Sequence, residues 1–361
     1  APAASEPGPG PARKRPGPRA ARPRCGGAPD RFAPREAAEV VERPGARLER
    51  RWLAMGAELR LSLEAPDRPA AVAASEAALE ALGACERRLS TWDADSEVSR
   101  ALAAPLGERV ELSAALAAEL RAAWDWSAAT QGAFDPRAGA LVEAYDLRGA
   151  GRWPSPRELE AAQRGTSGLC FDGKHLWRED SAARLAEGGF AKGAGLDAAL
   201  AALRARGIRE ATLCLGGQVA VLGGARVLVS DPADPGRPLL ALWLADGSLA
   251  SSDNRRSARL VAGRVLPHLF DPRSGLPADR PGSVSVFAPS ALAADALSTG
   301  LFVLGAAGFG DLRERHPELG LLLLAPTAAG WRASLCPRLG AALLWSAPEV
   351  ELAAWPPAMP P

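Results

Sequence analysis

Apolar positions change their period several times along the chain, and each change marks an element. From Trp52 to Leu63 the residues Leu53, Met55, Ala57, Leu59, Leu61 and Leu63 alternate with their neighbours, which predicts a half-buried strand opening the folded region, with Met55 and Gly56 inside it. Alanine and leucine recur at helical spacing from Ala71 to Leu89, and a second helix is expected from Ser113 to Thr130, ending before Gly132. A third helix starts at Ser155-Pro156-Arg157-Glu158, which carries an N-cap, a proline at the first helical position and a glutamate three residues after the cap.

Short strands are expected at 169–171 and 176–178. Then comes a glycine-rich loop, Gly188 to Gly195, leading into a helix from Leu196 to Arg206. The next stretches read as strands: 211–215, 219–222, 227–229, 239–244, 248–251, 258–261 and, with polar and apolar residues alternating, 283–288. Ser290 is the N-cap of a helix that runs through Val303 until Gly305 stops it; a further helix at 308–315 and strands at 320–324 and 331–335 follow. Helices mixed with many antiparallel strands imply an α+β fold: a large mixed, mostly antiparallel sheet flanked by helices.

The ends read differently. Residues 1–48 are rich in Pro, Ala, Arg and Gly without apolar periodicity, which predicts a flexible leader; 49–345 form the folded domain; 346–361 are expected to be a loose proline-rich tail. The chain begins with Ala1, which fits an export signal removed or omitted. Charge is balanced, 43 basic against 42 acidic residues, so nothing in the overall field recruits nucleic acid. The five cysteines are scattered without a CxxC, which argues against a zinc site or a disulfide scaffold.

Two stretches carry candidate chemistry. In the helix after Ser290, Asp295 and Thr299 stand four apart and share one face among small and apolar neighbours. A carboxylate and a hydroxyl are hard ligands suited to magnesium, and a buried carboxylate needs a partner or a cation. The loop before it holds His268, one of three histidines. Only three of the 43 basic residues are lysines, at 14, 174 and 192, so Lys192 inside the glycine-rich stretch stands out. Glycines and a lysine before a helix suit a phosphate, but on spacing alone a plain tight turn is the favoured reading.

Taken together, Met55-Gly56, Leu89-Ser90-Thr91-Trp92, Ala133-Phe134-Asp135-Pro136, Gly188 to Gly193, Gly216-Gly217, His268 to Gly275 and Ala294 to Thr299 resemble, in order and approximate spacing, the ApbE family of FAD:protein FMN transferases over about residues 52 to 336. The resemblance implies an ApbE or T-fold-like domain and a magnesium-dependent enzyme that cleaves FAD, passes FMN to a threonine or serine hydroxyl of another protein and releases AMP. By that resemblance Asp295, Thr299 and the carbonyl of Gly189 would hold Mg2+, and Met55, Trp92, Ala133, Phe134, Asp135, Lys192 and Phe270 would contact FAD. His268 and Lys192 would be catalytic.

The partner implied is an exported or membrane-bound electron-transfer protein with an FMN-binding domain. The place implied is the periplasm or the outer face of the inner membrane, with membrane association through a removed signal or anchor. Ala186, Glu187, Cys214, Gln218, Ala57 and Asp253 depart from the family pattern. Hydrolysis of FAD to FMN and AMP, or flavin binding without turnover, therefore stand as alternatives to transfer.

Overall fold

A computed structural model describes residues 45–255, 258–305, 307–353 and 355. The expected leader up to residue 44 lies outside the described residues. Ten strands build the main sheet: β1 (Ala46–Ala54), β2 (Ala57–Ala65), β3 (Glu210–Leu215), β4 (Gln218–Ser230), β5 (Pro238–Asp253), β6 (Ser283–Ala288), β7 (Gly320–Thr327), β8 (Gly330–Leu335), β9 (Leu343–Ser346) and β10 (Val350–Ala353). The order across the sheet is β1-β2-β3-β4-β5-β6-β7-β8-β10, with β9 pairing on β5. Every pairing is antiparallel except β8 with β10.

Three expectations are corrected. The alternation around Met55 is a hairpin and not one strand, because Met55 and Gly56 both take positive φ and turn the chain so that Ala54 pairs with Ala57. Its first strand reaches back to Ala46, so the leader ends earlier than residue 48. The tail beyond residue 346 is not loose throughout: Val350–Ala353 adds a parallel strand to β8, satisfying backbone groups that an edge would leave unpaired.

The helices that matter for function are α1 (Arg68–Leu89), α2 (Glu97–Ala103), α3 (Ala114–Ala129), α4 (Gly139–Ala144), α5 (Pro156–Ser167), α6 (Ala191–Ala205) and α7 (Ala291–Leu304). The capping box predicted at Ser155 forms, with Glu158 reaching back to the cap. Helix α6, by contrast, starts at Ala191 and not at Leu196, so most of the stretch read as a loop is helical. Its glycines permit close packing: a Cβ on Gly193 would lie 2.3 Å from the Ala291 carbonyl oxygen, and one on Gly195 2.8 Å from Met55 Sδ.

Two of the apolar bodies flank the α6–α7 crossing. One lies between β4 to β8 and α7, around Leu240, Val286, Leu297, Phe302 and Leu322. The other packs α1 and α6 on β1 to β4, around Leu61, Leu82, Leu200 and Leu213. Helix α7 belongs to the first and touches α6 at its N-terminus, so the α6–α7 crossing is fixed from both sides. Asp197 of α6 reinforces it by accepting from the backbone N–H groups of Ala291 (2.7 Å) and Leu292 (2.9 Å) and from Ser290 Oγ (2.7 Å), an N-cap supplied in trans.

Candidate functional site

Where α6 crosses α7, a cleft of about 510 Å³ opens, lined by Lys192, Asp295 and Thr299 on one side and by His268, Phe270 and Trp92 on the other. Ala133, Phe134, Asp135 and Gly189 complete its wall, so ten of the eleven predicted site residues are neighbours here. Met55 is the exception. It sits at the hairpin turn with its sulfur against Gly195 and its backbone N–H on Glu86 (3.1 Å), outside the cleft lining. A larger, more open groove of about 1300 Å³, bordered by Tyr145, Trp153 and Arg264, holds none of them.

On the helical side the predicted residues lie close together. Asp295 is buried, and its carboxylate accepts from the backbone N–H of Gly193 (3.3 Å) and faces the Lys192 ammonium at 3.6 Å. Burial pushes its carboxyl above the ordinary aspartate range, while Lys192 and the Gly193 N–H oppose that shift. Lys192 Nζ also donates to the Gly188 carbonyl (3.0 Å). The Thr299 hydroxyl hydrogen-bonds the Asp295 carbonyl (3.3 Å), and a Cβ on Gly189 would lie 3.6 Å from its Oγ1. A buried acid, an alcohol and a glycine turn thus converge, and all of them are hard oxygen donors. Among the described residues there is no group of three or more His, Cys, Asp or Glu that could hold a metal, so a cation here would depend on the hydroxyl and the backbone.

The opposite side is made of loops with internal braces. Phe134-Asp135-Pro136-Arg137 recurs as Phe270-Asp271-Pro272-Arg273, and the two copies fold alike. Asp135 accepts from the Arg137 backbone N–H (2.8 Å) and is forked by its guanidinium (2.9 and 2.7 Å); Asp271 does the same with Arg273 (3.0, 2.8 and 2.7 Å). Each brace presents its phenylalanine to the cleft. Phe270 is further held by Tyr145, whose ring lies 4.1 Å away and whose hydroxyl donates to the Gly275 carbonyl (2.9 Å).

His268 is largely enclosed, and its buried Nδ1 has no hydrogen-bond partner. Burial lowers its pKa below the ordinary imidazole value, with a smaller push down from Lys192 and an opposing pull from Asp253. A neutral imidazole facing the same cleft as a lysine and a buried acid is equipped to take a proton from a hydroxyl.

Other lining residues stand outside the predicted site, Gln218 and Glu187 being marked in the sequence only as departures from the family pattern. Gln218 is buried and donates to Ser248 Oγ (3.1 Å) and to the Ala291 carbonyl (2.8 Å), with its Oε1 unpartnered. Ser252 Oγ pairs with Ser298 Oγ of α7 (2.9 Å). Arg148 and Glu187 also line the cleft. The repeated Phe-Asp-Pro-Arg was the available signal for the paired braces. Nothing in spacing marks Arg148, which lies far in sequence from the partners it meets.

The ApbE family model matches residues 55–323 of this chain. The chain belongs to the ApbE family. Similar proteins include the FAD:protein FMN transferase of Rhodobacter capsulatus, 32% identical over 244 residues, an alignment covering 63% of this chain and 46% of that protein. This chain therefore spans about half the length of that relative. The protein of the same name from Vibrio cholerae is 28% identical over 231 residues, covering 60% and 69%. The flavin transferase ApbE structure from Vibrio cholerae superimposes with a TM-score of 0.72 at 23% identity, over 83% of this chain and 100% of that one. The Thermotoga maritima ApbE crystal structure gives 0.67 at 28% identity, over 77% and 94%. The α+β architecture with a large, mostly antiparallel sheet is the ApbE fold.

Proposed function

We propose that this chain transfers FMN from FAD to a serine or threonine hydroxyl of an acceptor protein, with release of AMP. The observation that carries the reading is the convergence in one cleft of Lys192, Asp295, Thr299, Gly189 and His268 beneath an aromatic rim. The names of the relatives support it. The donor set fits Mg2+ on a physical ground: a buried carboxylate, held above its usual range by desolvation, gains most from a hard cation beside it. Asp295, Thr299 and the Gly189 carbonyl would hold the ion, which when bound supplies neutralising charge to diphosphate oxygens.

The chain's own residues do the rest. Lys192 meets the diphosphate as a point charge from the first turn of α6. Phe134, Phe270 and Trp92 offer faces to the ring systems. His268 receives the proton of the attacking hydroxyl as the bond from that oxygen to the FMN phosphorus forms and the bond to AMP breaks.

The acceptor in this reading is an exported or membrane-bound electron-transfer protein, and the site of action is the periplasmic side. Among the described residues no helix is long and apolar enough to cross a membrane. The test is incubation with FAD, Mg2+ and an acceptor carrying an FMN-binding domain. The acceptor is expected to gain the mass of FMN less one water, with AMP formed in equal amount. AMP and free FMN without any acceptor adduct select the pyrophosphatase; FAD bound with no AMP at all selects a carrier.

A further inference from the structure

Glu187 stands where the family resemblance expects an apolar residue, yet it is buried beside the cleft. Its carboxylate is fully engaged: Oε2 accepts from the Thr91 hydroxyl (2.6 Å) and from Arg148 Nη2 (3.2 Å). Arg148 donates in addition to the Thr91 hydroxyl and to the Thr91 carbonyl (3.2 Å). With its N–H groups committed in this way, the guanidinium lies 4.4 Å from the ring centroid of Trp92, one residue further along the same loop. The base of that loop is tied separately by Ser96 and Ser99, whose hydroxyls donate to the Ser90 carbonyl (2.6 and 3.1 Å).

Trp92 is 70% exposed, so packing does not hold its ring; the stacked arginine does. Glu187 also begins the short 3-10 turn Glu187–Gly189 that carries the glycine facing Thr299. We infer that Glu187 and Arg148 are positioning residues: the carboxylate fixes the guanidinium as a prop under the indole, and so sets the plate on which one ring of FAD stacks relative to the turn that meets the diphosphate. An apolar side chain at 187 would leave Arg148 without its anion and Trp92 free to swing. This rests on the flavin reading above, and it assigns a device built from a departure from the family pattern.

The experiment measures FAD, FMN and ADP affinities by flavin fluorescence and calorimetry for the wild-type chain and for Glu187→Leu, Arg148→Ala, the double variant, Glu187→Gln and Trp92→Ala. Glu187→Leu and Arg148→Ala are each expected to weaken FAD about tenfold, acting on KM and much less on kcat, and the double variant no further, because the two act as one unit. Glu187→Gln, which still accepts from Thr91 and Arg148, falls between. The pattern of loss over FMN and ADP must copy that of Trp92→Ala, which a general structural defect would not do. Wild-type FAD binding with no loss in Glu187→Leu, additive losses, or a pattern unlike Trp92→Ala overturns the inference alone. A wild-type chain that binds none of the three nucleotides overturns the flavin reading and this inference together.

Discussion

The two walls of the cleft are built by opposite means. Helix α7 is buried along its length apart from Thr299 and Leu304, and Asp295 is held where apolar packing and the Asp197 cap have placed its helix. The facing wall consists of loops whose order comes from polar braces, two of them local, Asp135 with Arg137 and Asp271 with Arg273, and one long-range, Glu187 with Arg148. The first wall can carry a charge at a fixed position despite desolvation. The second presents aromatic faces on braced turns. A diphosphate needs rigid charge, and flat rings need surfaces that close on them.

The contrast is broken most severely at Asp295. Asp295→Asn is expected to slow AMP formation from FAD by about a thousandfold, roughly 4 kcal/mol, while the melting temperature without metal does not fall. The sign follows from the pKa direction: a carboxyl raised above its unfolded value costs stability once pH exceeds that unfolded value, and an amide removes the cost. A melting point several degrees lower in a thermal scan would mean that the acid holds the fold and not a cation. On the loop wall, His268→Asn should reduce acceptor labelling by about 10²–10³-fold with melting unchanged, read by mass spectrometry of the acceptor.

A glycine pair sharpens the comparison further. Gly193→Ala forces a Cβ against the Ala291 backbone at 2.3 Å and is expected to cost about 1–3 kcal/mol in denaturant unfolding. Gly188→Ala, whose Cβ would meet nothing within 4 Å, should stay within about 0.5 kcal/mol. Equal costs at the two positions would mean that close packing against α7 does not constrain Gly193. Trp92→Ala is expected to weaken FAD about tenfold, close to 1.4 kcal/mol, with no change in melting, since the ring is mostly in solvent.

The smallest effect is a shift in pH dependence. His268 must be neutral to accept a proton, and burial lowers its pKa, so the acidic limb of kcat/KM should lie below the ordinary value of about 6.5. Activity is then lost only as pH falls through the lowered value. Asp253→Asn removes the charge that favours the protonated ring and should move the limb lower still. A limb at or above the ordinary value would place the imidazole in a wetter setting than the cleft provides.

How much of this was legible in the sequence differs between the walls. The α7 wall was read well because helical period and ligand chemistry coincide: Ser290 caps, Gly305 stops, and Asp295 and Thr299 fall on one face of an apolar helix. Lys192 was found, though its setting was misread. Gly193 and Gly195 read as loop formers in the sequence but are the small residues of a tight helix crossing, and the two uses of glycine look alike without knowledge of what packs there. Met55 was placed with the substrate on a motif alone, whereas its hairpin turns it toward α6.

What the sequence determined by itself is the set of local commitments: strand and helix periods, the capping signals at Ser155 and Ser290, and an inventory of hard ligands with one lysine and one histidine in telling places. These depend on residues within a few positions of one another, and their energies are fixed by local geometry. Only the tertiary structure decided that Asp197 caps a helix nearly a hundred residues away, that Glu187 meets Arg148 beside Trp92, and that His268 is largely enclosed. Those outcomes follow from burial and long-range pairing, which exist only once the sheet has brought distant segments to the same cleft.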